Sequence, residues 1–446
     1  MIDLTYFKHR FDELQAETPE SPITRLRQES FLAFDKTGLP TKRNEDWKYT
    51  SIGGLFEKEY YLKTDTSDHT VTLAAIDAMR LPGYLEANEI VFVDGHYIPS
   101  LSTIRSPSDR LTVLPLEDAA AGAYKEVVQE HLGCSSAYIK DGIHALNTSF
   151  IHGGVFIKIA KGMQLSYPVY FYHLSDARSY PVLSQPRSLL YIEPGANVRL
   201  VETFTTLGAS DSFTNQVMEV VADDNAMVEY YKIQNETVNA SQVSTTHIRQ
   251  MGRSYVHAVT ITLNGDIVRN NMNVVMDAAG SEAHLYGLYI LDGQTHADNH
   301  TLVDNVQPNC TSNELYKGIL NDRSTGVFNG KIKVQPLAQK TNAYQTNNNI
   351  LLSNDAVINT KPQLEIFADD VKCSHGCTVG QLDENALFYL RARGIPQSQA
   401  QELLLQAFSS DILDQVKPEL LRTHIRQLIT ERLKIIENDF DNPSIG

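Results

Sequence analysis

Val256–Leu263 (VHAVTITL), the turn cluster Asn264-Gly265-Asp266, and then Arg269-Asn270-Asn271-Met272-Asn273 form the stretch on which the fold turns. A short run rich in β-branched residues ends at an Asn-Gly turn signal. The next run carries asparagine at strand positions where an ordinary sheet depletes it. The same beat extends in both directions. From about Gly154 to about Asp369, runs such as Val155–Ile159, Val169–Tyr172, Leu189–Ile192, Val228–Ile233, His284–Leu291 and Val327–Val334 alternate with turn clusters such as Gly195-Ala196-Asn197, Asp223-Asp224-Asn225, Asp292-Gly293 and Asn321-Asp322. The breaks fall roughly every 14 residues. No helical pattern intervenes, which leaves a sandwich, a propeller, a closed barrel or a solenoid. The runs are not grouped in fours, which weakens the propeller. Asparagine stacks into side-chain amide ladders on successive rungs, and Thr346-Asn347-Asn348-Asn349-Ile350 repeats the feature. The pattern therefore predicts a mainly β chain built on a parallel β-helix, with ends that need covering.

The flanks are of another kind. Ser21-Pro22 reads as an N-cap with proline at the first helical position, and Leu26, Phe31, Leu32 and Phe34 follow at helix-compatible spacing until Gly38 and Pro40. Arg43–Thr50 (RNEDWKYT) holds the only tryptophan, Trp47, read as an anchor of a helix against the domain body. After Asp383, Glu384–Arg393, Gln399–Leu413 and Val416–Ile436 read as helices with apolar stripes, and a short polar tail, 439–446, ends the chain. The expected organisation is an N-terminal helical and mixed domain over 1–148, a β-helix core over 149–382, and a C-terminal helical domain over 383–446. The leucines of the last part either form an internal bundle or offer a helix-in-groove contact to a partner.

With 446 residues the chain can bury a large core; 38 basic against 54 acidic side chains give a net charge of −16, which excludes a broad duplex-binding face. No run of about 18 apolar residues predicts a membrane span. Asp3, Lys8, His9, Arg10, Asp12 and Glu13 leave no room for the apolar core of a signal peptide. Four cysteines, Cys134, Cys310, Cys373 and Cys377, are too few and too scattered for a disulfide framework, so reduced thiols in a cytoplasmic protein are expected.

Few motifs carry chemistry. There is no phosphate-cradling glycine loop, dinucleotide fingerprint or nucleophile elbow. His296 and His300 are spaced to share a metal only on a helix. On a strand they lie about 13 Å apart and read as structural, although His284, one rung earlier, would leave a small case for a metal. Asp292, Asp298 and Asp304 fall near one another as a glycan-processing enzyme would need, but acidic residues at turn positions are ordinary turn chemistry, and a fold alone does not establish function. The sharpest feature is Asp369–Gly380 (DDVKCSHGCTVG), where Cys373, His375 and Cys377 lie among glycines and beside Lys372, a cation able to depress a thiol pKa. Such ligands suit zinc or an iron–sulfur unit, but three do not complete a four-coordinate site. A buried Cys/His turn and a metal or cluster site shared with a second segment or subunit both remain open.

Thr360–Gly376 (TKPQLEIFADDVKCSHG), with Phe388–Ile395 (FYLRARGI), Phe328-Asn329-Gly330, Thr346–Asn349 and Arg43–Thr50, resembles the SufB/SufD family of the Suf iron–sulfur cluster assembly machine, in its SufD branch. The resemblance implies a right-handed parallel β-helix flanked by helices, and a scaffold without catalysis of its own. It implies pairing with a SufB-type subunit, or with itself when isolated, and docking of a SufC-type ATPase through the C-terminal helices, where Leu403, Leu404, Phe408 and Ile412 are the expected contacts. No nucleic acid or membrane partner is implied. His375 matches the family's functional histidine, and Cys373 a cysteine of the same stretch. An iron–sulfur cluster would form only transiently at the subunit interface, with no tightly held cofactor in the isolated chain. Cys377 departs from the alanine more usual there, as an extra ligand or, the reading we favour, a small buried substitute. The lack of cysteine before Cys134 agrees with the D-type branch. The competing expectations are a β-helix enzyme acting on polysaccharides and a self-contained zinc protein using His296, His300 or Cys373.

Overall fold

A computed structural model describes residues 4–18, 20–64 and 70–441; the polar tail beyond 441 lies outside them. Because β-branched and aromatic runs alternate with turns at near-constant spacing, each run stacks on the one two positions earlier in the chain. The result is a β-solenoid of about 8 turns. Ile267, His296 and Thr325 are register partners on three successive turns, 29 residues apart at each step. The expected beat of about 14 residues is thus one strand with its turn, and two beats make one rung.

Two sheets result. One runs from Leu111–Pro115 and Val155–Ile159 through Arg187–Ile192, Ser212–Ala222, Ala240–Gln250, Ile267–Met276, His296–Asn305 and Thr325–Val334 to the short strands Val357–Thr360 and Gln363–Ile366. The other runs from Asn88–Val93 through Val169–Asp176, Asn197–Leu207, Met227–Asn235, Tyr255–Asn264, Glu282–Leu291, Thr311–Leu320 and Asn342–Leu351 to Lys372–Gly380. Stacking is parallel except at the start, where Leu111–Pro115 and Val155–Ile159 run antiparallel. Asn88–Val93 pairs in parallel with Val169–Leu174, so strands on both sides of residue 148 share each sheet.

Aliphatic residues fill most of the interior, including Ile90, Ile157, Leu190, Val220, Val228, Val256, Val274, Leu285, Val303 and Leu320. Between them runs a buried polar file. Glu202 accepts from His173 (2.8 Å) and from Tyr230, with Lys232 3.6 Å away. The expected amide ladder is one step long: Asn270 donates to Asn299 (3.2 Å), and Gln234 bonds Asn270 and Gln242. The next register partner is Phe328, which ends it.

Both outer faces are covered. On the first sheet, Thr5–Glu17 and Pro22–Thr37 bring Phe7, Phe11, Phe31 and Phe34 against Ile143, Leu146, Phe150, Phe213 and Val243. Ser21 N–H donates to Thr24 Oγ1, as a capped start requires. Leu32, expected among the apolar positions, is instead 69% exposed, because it falls between the buried Phe31 and Phe34 on the helix and points away from them. On the second sheet, Gln397–Leu413 and Glu419–Asp441 set Leu405, Ile412, Leu413, Leu421, Ile425, Ile429, Leu433 and Ile436 against Val201, Tyr231, Ile233, Val259, Ile261, Leu288, Ile290 and Ile319. The C-terminal leucine stripe is therefore mostly spent on the chain's own solenoid. Among the described residues, no helix is long and apolar enough to cross a membrane.

Candidate functional site at the end of the solenoid

Lys372–Gly380 is a strand, not the tight turn that its glycines suggest. Gly376 and Gly380 have ordinary extended backbone, and a Cβ at either would meet open space. The strand pairs in parallel with Asn342–Leu351 and is the last of its sheet among the described residues, so its other edge is free. An unpaired edge of this kind is a ready template for another chain.

Register decides which side chains meet. Cys373, His375 and Cys377 partner Ala343, Gln345 and Asn347, whose side chains face the solenoid interior. The outward row is marked by Thr378, which donates to Asn348 Oδ1 (3.0 Å). The two cysteines and the histidine therefore form one row over the open mouth, with successive members about 6.6 Å apart at ~3.3 Å per residue. Cys373 is half-buried against Ile332, Val334, Ala343 and Ala368, and burial pushes its thiol up. Lys372 does not offset this, contrary to expectation: its side chain lies on the opposite face of the strand. His375 is exposed, and so is Cys377. Cys377 is thus no buried stand-in for alanine in this chain alone, because among the described residues no further turn stacks on its strand. Among the described residues, no three His, Cys, Asp or Glu side chains converge to hold a metal ion.

Beneath His375 the interior is polar. Gln345 Nε2 donates to Glu314 (3.2 Å), and Thr301 Oγ1 donates to the same carboxylate (2.5 Å). Full burial without a cation raises Glu314 to about 7. Neither Gln345 nor Glu314 stands out in the sequence. The one available signal is the rung spacing, which places position 345 thirty residues before 375.

The other candidates separate from this site. His296 and His300 lie on the strand His296–Asn305, both on its outer face and both engaged. His296 Nε2 meets Thr50 Oγ1 at 2.8 Å, and His300 Nε2 meets Asp298 at 2.9 Å. Asp298 also accepts from Arg269 (2.7 Å) and Thr50 (2.5 Å). Burial alone would raise this carboxyl, but His300 and Arg269 hold it well below the usual carboxylate range. His284 belongs to the opposite sheet, in register with His257 and Asn313, and stacks on neither histidine. Asp292 pairs with Arg432, and Asp304 accepts from Gln335 (2.9 Å). The three aspartates are thus dispersed and occupied. Trp47 sits in the short turn Glu45–Trp47 rather than on a regular helix, and it donates to Asp141 (2.8 Å).

Of the expected partner contacts, Ile412 is a correction. It is fully buried between its helix and the solenoid, so it holds the helix on and cannot face a partner in this arrangement. Leu403 is 47% exposed, Leu404 is half-buried, and the half-buried Phe408 lies under Lys317 Nζ at 4.5 Å. Phe388, Tyr389 and Leu420 are also exposed.

Fold and site together define a helix-flanked β-solenoid that presents a row of cysteine and histidine side chains at one open end. Residues 173–408 match the family model described as SUF system FeS cluster assembly, SufBD core domain, and residues 4–171 match the SufBD protein N-terminal region. An iron–sulfur cluster assembly SufBD family protein of Synechocystis sp. is 30% identical, over 93% of this chain and 92% of its own. The iron–sulfur cluster assembly protein SufD of Escherichia coli is 29% identical over 93% and 94%, and the chloroplastic protein ABCI7 of Arabidopsis thaliana 27% over 93% and 87%. The chain belongs to the SufBD family of iron–sulfur cluster assembly proteins, and it is SufD-like.

Proposed function

We propose that this chain is the D-type scaffold subunit of a Suf assembly complex, without catalysis of its own and acting in the cytoplasm. It pairs through the free end of its solenoid with a SufB-type subunit, or with a second copy when isolated. His375, with Cys373 beside it, supplies part of the coordination sphere of a nascent iron–sulfur cluster, which is cargo and not a resident cofactor. A SufC-type ATPase docks on the C-terminal helices at Leu403 and Leu404, with Phe408, which packs partly on the solenoid, at the border of that surface. Ile412 acts there only indirectly, by seating the helix.

One observation carries this reading: among the described residues, His375 is exposed on a strand whose outer edge has no partner, in a Cys/His row too short to close around metal. A neighbouring chain can complete both the sheet and the ligand set at once. Thiolate and imidazole are the natural donors for such a cluster.

The test is co-expression with SufB-type and SufC-type partners. His375→Ala is expected to leave folding and complex formation intact while cluster delivery to a recipient apoprotein fails. Normal delivery by that variant would remove His375 from the role. Loss of ATPase co-purification on deleting residues after Asp383 is expected, and retention would move the dock elsewhere.

A further inference from the structure

Gln345 is buried to within 1% of full coverage, and its Oε1 atom has no hydrogen-bond partner among the described residues. A buried carbonyl oxygen left so is costly unless something supplies a donor. Its amide nitrogen is committed to Glu314, which is itself held by Thr301, so the oxygen is the free end of an anchored group. The slot that holds the carboxamide exists because residue 330 is glycine: a Cβ there would overlap the Gln345 side-chain tip. The residue stacked on Gln345 in the terminal strand, on the same inner face, is His375.

An imidazole that binds metal through one ring nitrogen carries its proton on the other, and that N–H needs a fixed acceptor to set the tautomer and the ring plane. Resting on the reading of His375 as a cluster ligand, we propose that Gln345 is its positioning residue: the two side chains are not bonded in this structure, and turning the imidazole inward from its exposed position lets Gln345 Oε1 accept its N–H, with Glu314 and Gly330 holding the carboxamide in place. The free ring nitrogen of His375 is then turned to the mouth, where a partner chain and the cluster arrive.

The test reads the His375 tautomer directly, by long-range proton–nitrogen correlation on the full chain labelled at histidine and kept at about pH 8, with His375→Gln to assign the signal. In the native chain one neutral tautomer is expected to dominate. In Gln345→Met, which keeps length and loses the acceptor, the ratio is expected to move several-fold toward that of free imidazole. Cluster yield of the assembled complex should fall about 10-fold or more, the usual cost of losing such a support. Gly330→Ala, which crowds the slot but retains the carboxamide, should shift the ratio in the same direction, and it provides the measurement if Gln345→Met does not fold. An unchanged tautomer ratio in either folded variant overturns the proposal. The tautomer is read without partner or cluster, so a shift in Gln345→Met beside normal delivery by His375→Ala would keep the hydrogen bond and discard the cluster role.

Discussion

The guanidinium of Arg269 lies under the indole of Trp47, 3.9 Å from the ring centroid, and so joins the N-terminal segment to the outer face of the solenoid. Arg269 also bonds Asp298 and the Asp46 carbonyl, and the indole N–H goes to Asp141. Cation–π contacts out of water are worth about 2 kcal/mol, and the indole is fully buried besides. Trp47→Ala is therefore expected to cost about 3–5 kcal/mol in urea unfolding. A loss below about 1 kcal/mol would mean that the segment is held by its other contacts.

Glu314 makes stability fall with rising pH. Its folded pKa, about 7, lies above the unfolded value of about 4.3, so the fold binds the proton more tightly than the unfolded chain does. The stabilisation is fully present below pH ~4 and is lost as pH rises to about 7. Glu236, raised for the same reason of burial, titrates over the same window, so the comparison must be between the native chain and Glu314→Gln. The variant is expected to gain on the order of 3 kcal/mol relative to the native chain between pH 4 and pH 8. Parallel stability profiles for the two would refute the shift.

Leu403 and Ile412 share a helix but should behave as opposites. Ile412→Ala opens a cavity between helix and sheet, with an expected loss of about 2–5 kcal/mol. Leu403→Asp sits on the open side and should leave the melting temperature within about 2 °C, given the usual ±0.5 kcal/mol of surface changes. It should weaken ATPase binding at least 10-fold by calorimetry. A stability loss in Leu403→Asp, or undiminished ATPase binding, would contradict the assigned surface.

Val379, 49% exposed, stands at the free end strand. A lysine there blunts strand-to-strand pairing. Val379→Lys is expected to shift the isolated chain toward monomer in sedimentation velocity without lowering its melting temperature. Unaltered self-association would place the contact elsewhere.

Much of this was legible in the sequence, and the exceptions have definite causes. The spacing of β-branched runs and Asn-Gly turns fixes the solenoid because each turn must stack on a neighbour of equal length. The buried polar file of His173, Glu202, Lys232 and Gln234 was not legible: strands covered on both faces show no alternation of polar and apolar positions. Cys373, His375 and Cys377 stand out in the sequence as candidate ligands, but their common row follows from strand register, which the glycines at 376 and 380 obscure. Ile412 reads as a partner contact in the sequence because a stripe that packs on its own sheet and one that packs on a partner have the same periodicity.

The segment around Trp47 is also tied to Arg269, to Asp298 through Thr50, and to the last turn through the Glu45–Lys361 ion pair. A ribosome releases those seats long after it releases the segment itself. The turns can wind up one after another as they emerge, whereas this belt, held first only through Trp47 to Asp141, gains its seats at Arg269 and Asp298 later and is closed only with residue 361. The order of synthesis therefore separates the growth of the coil from its locking, and a chain cut short before residue 269 would leave the indole without its stacked cation and the segment only half fastened.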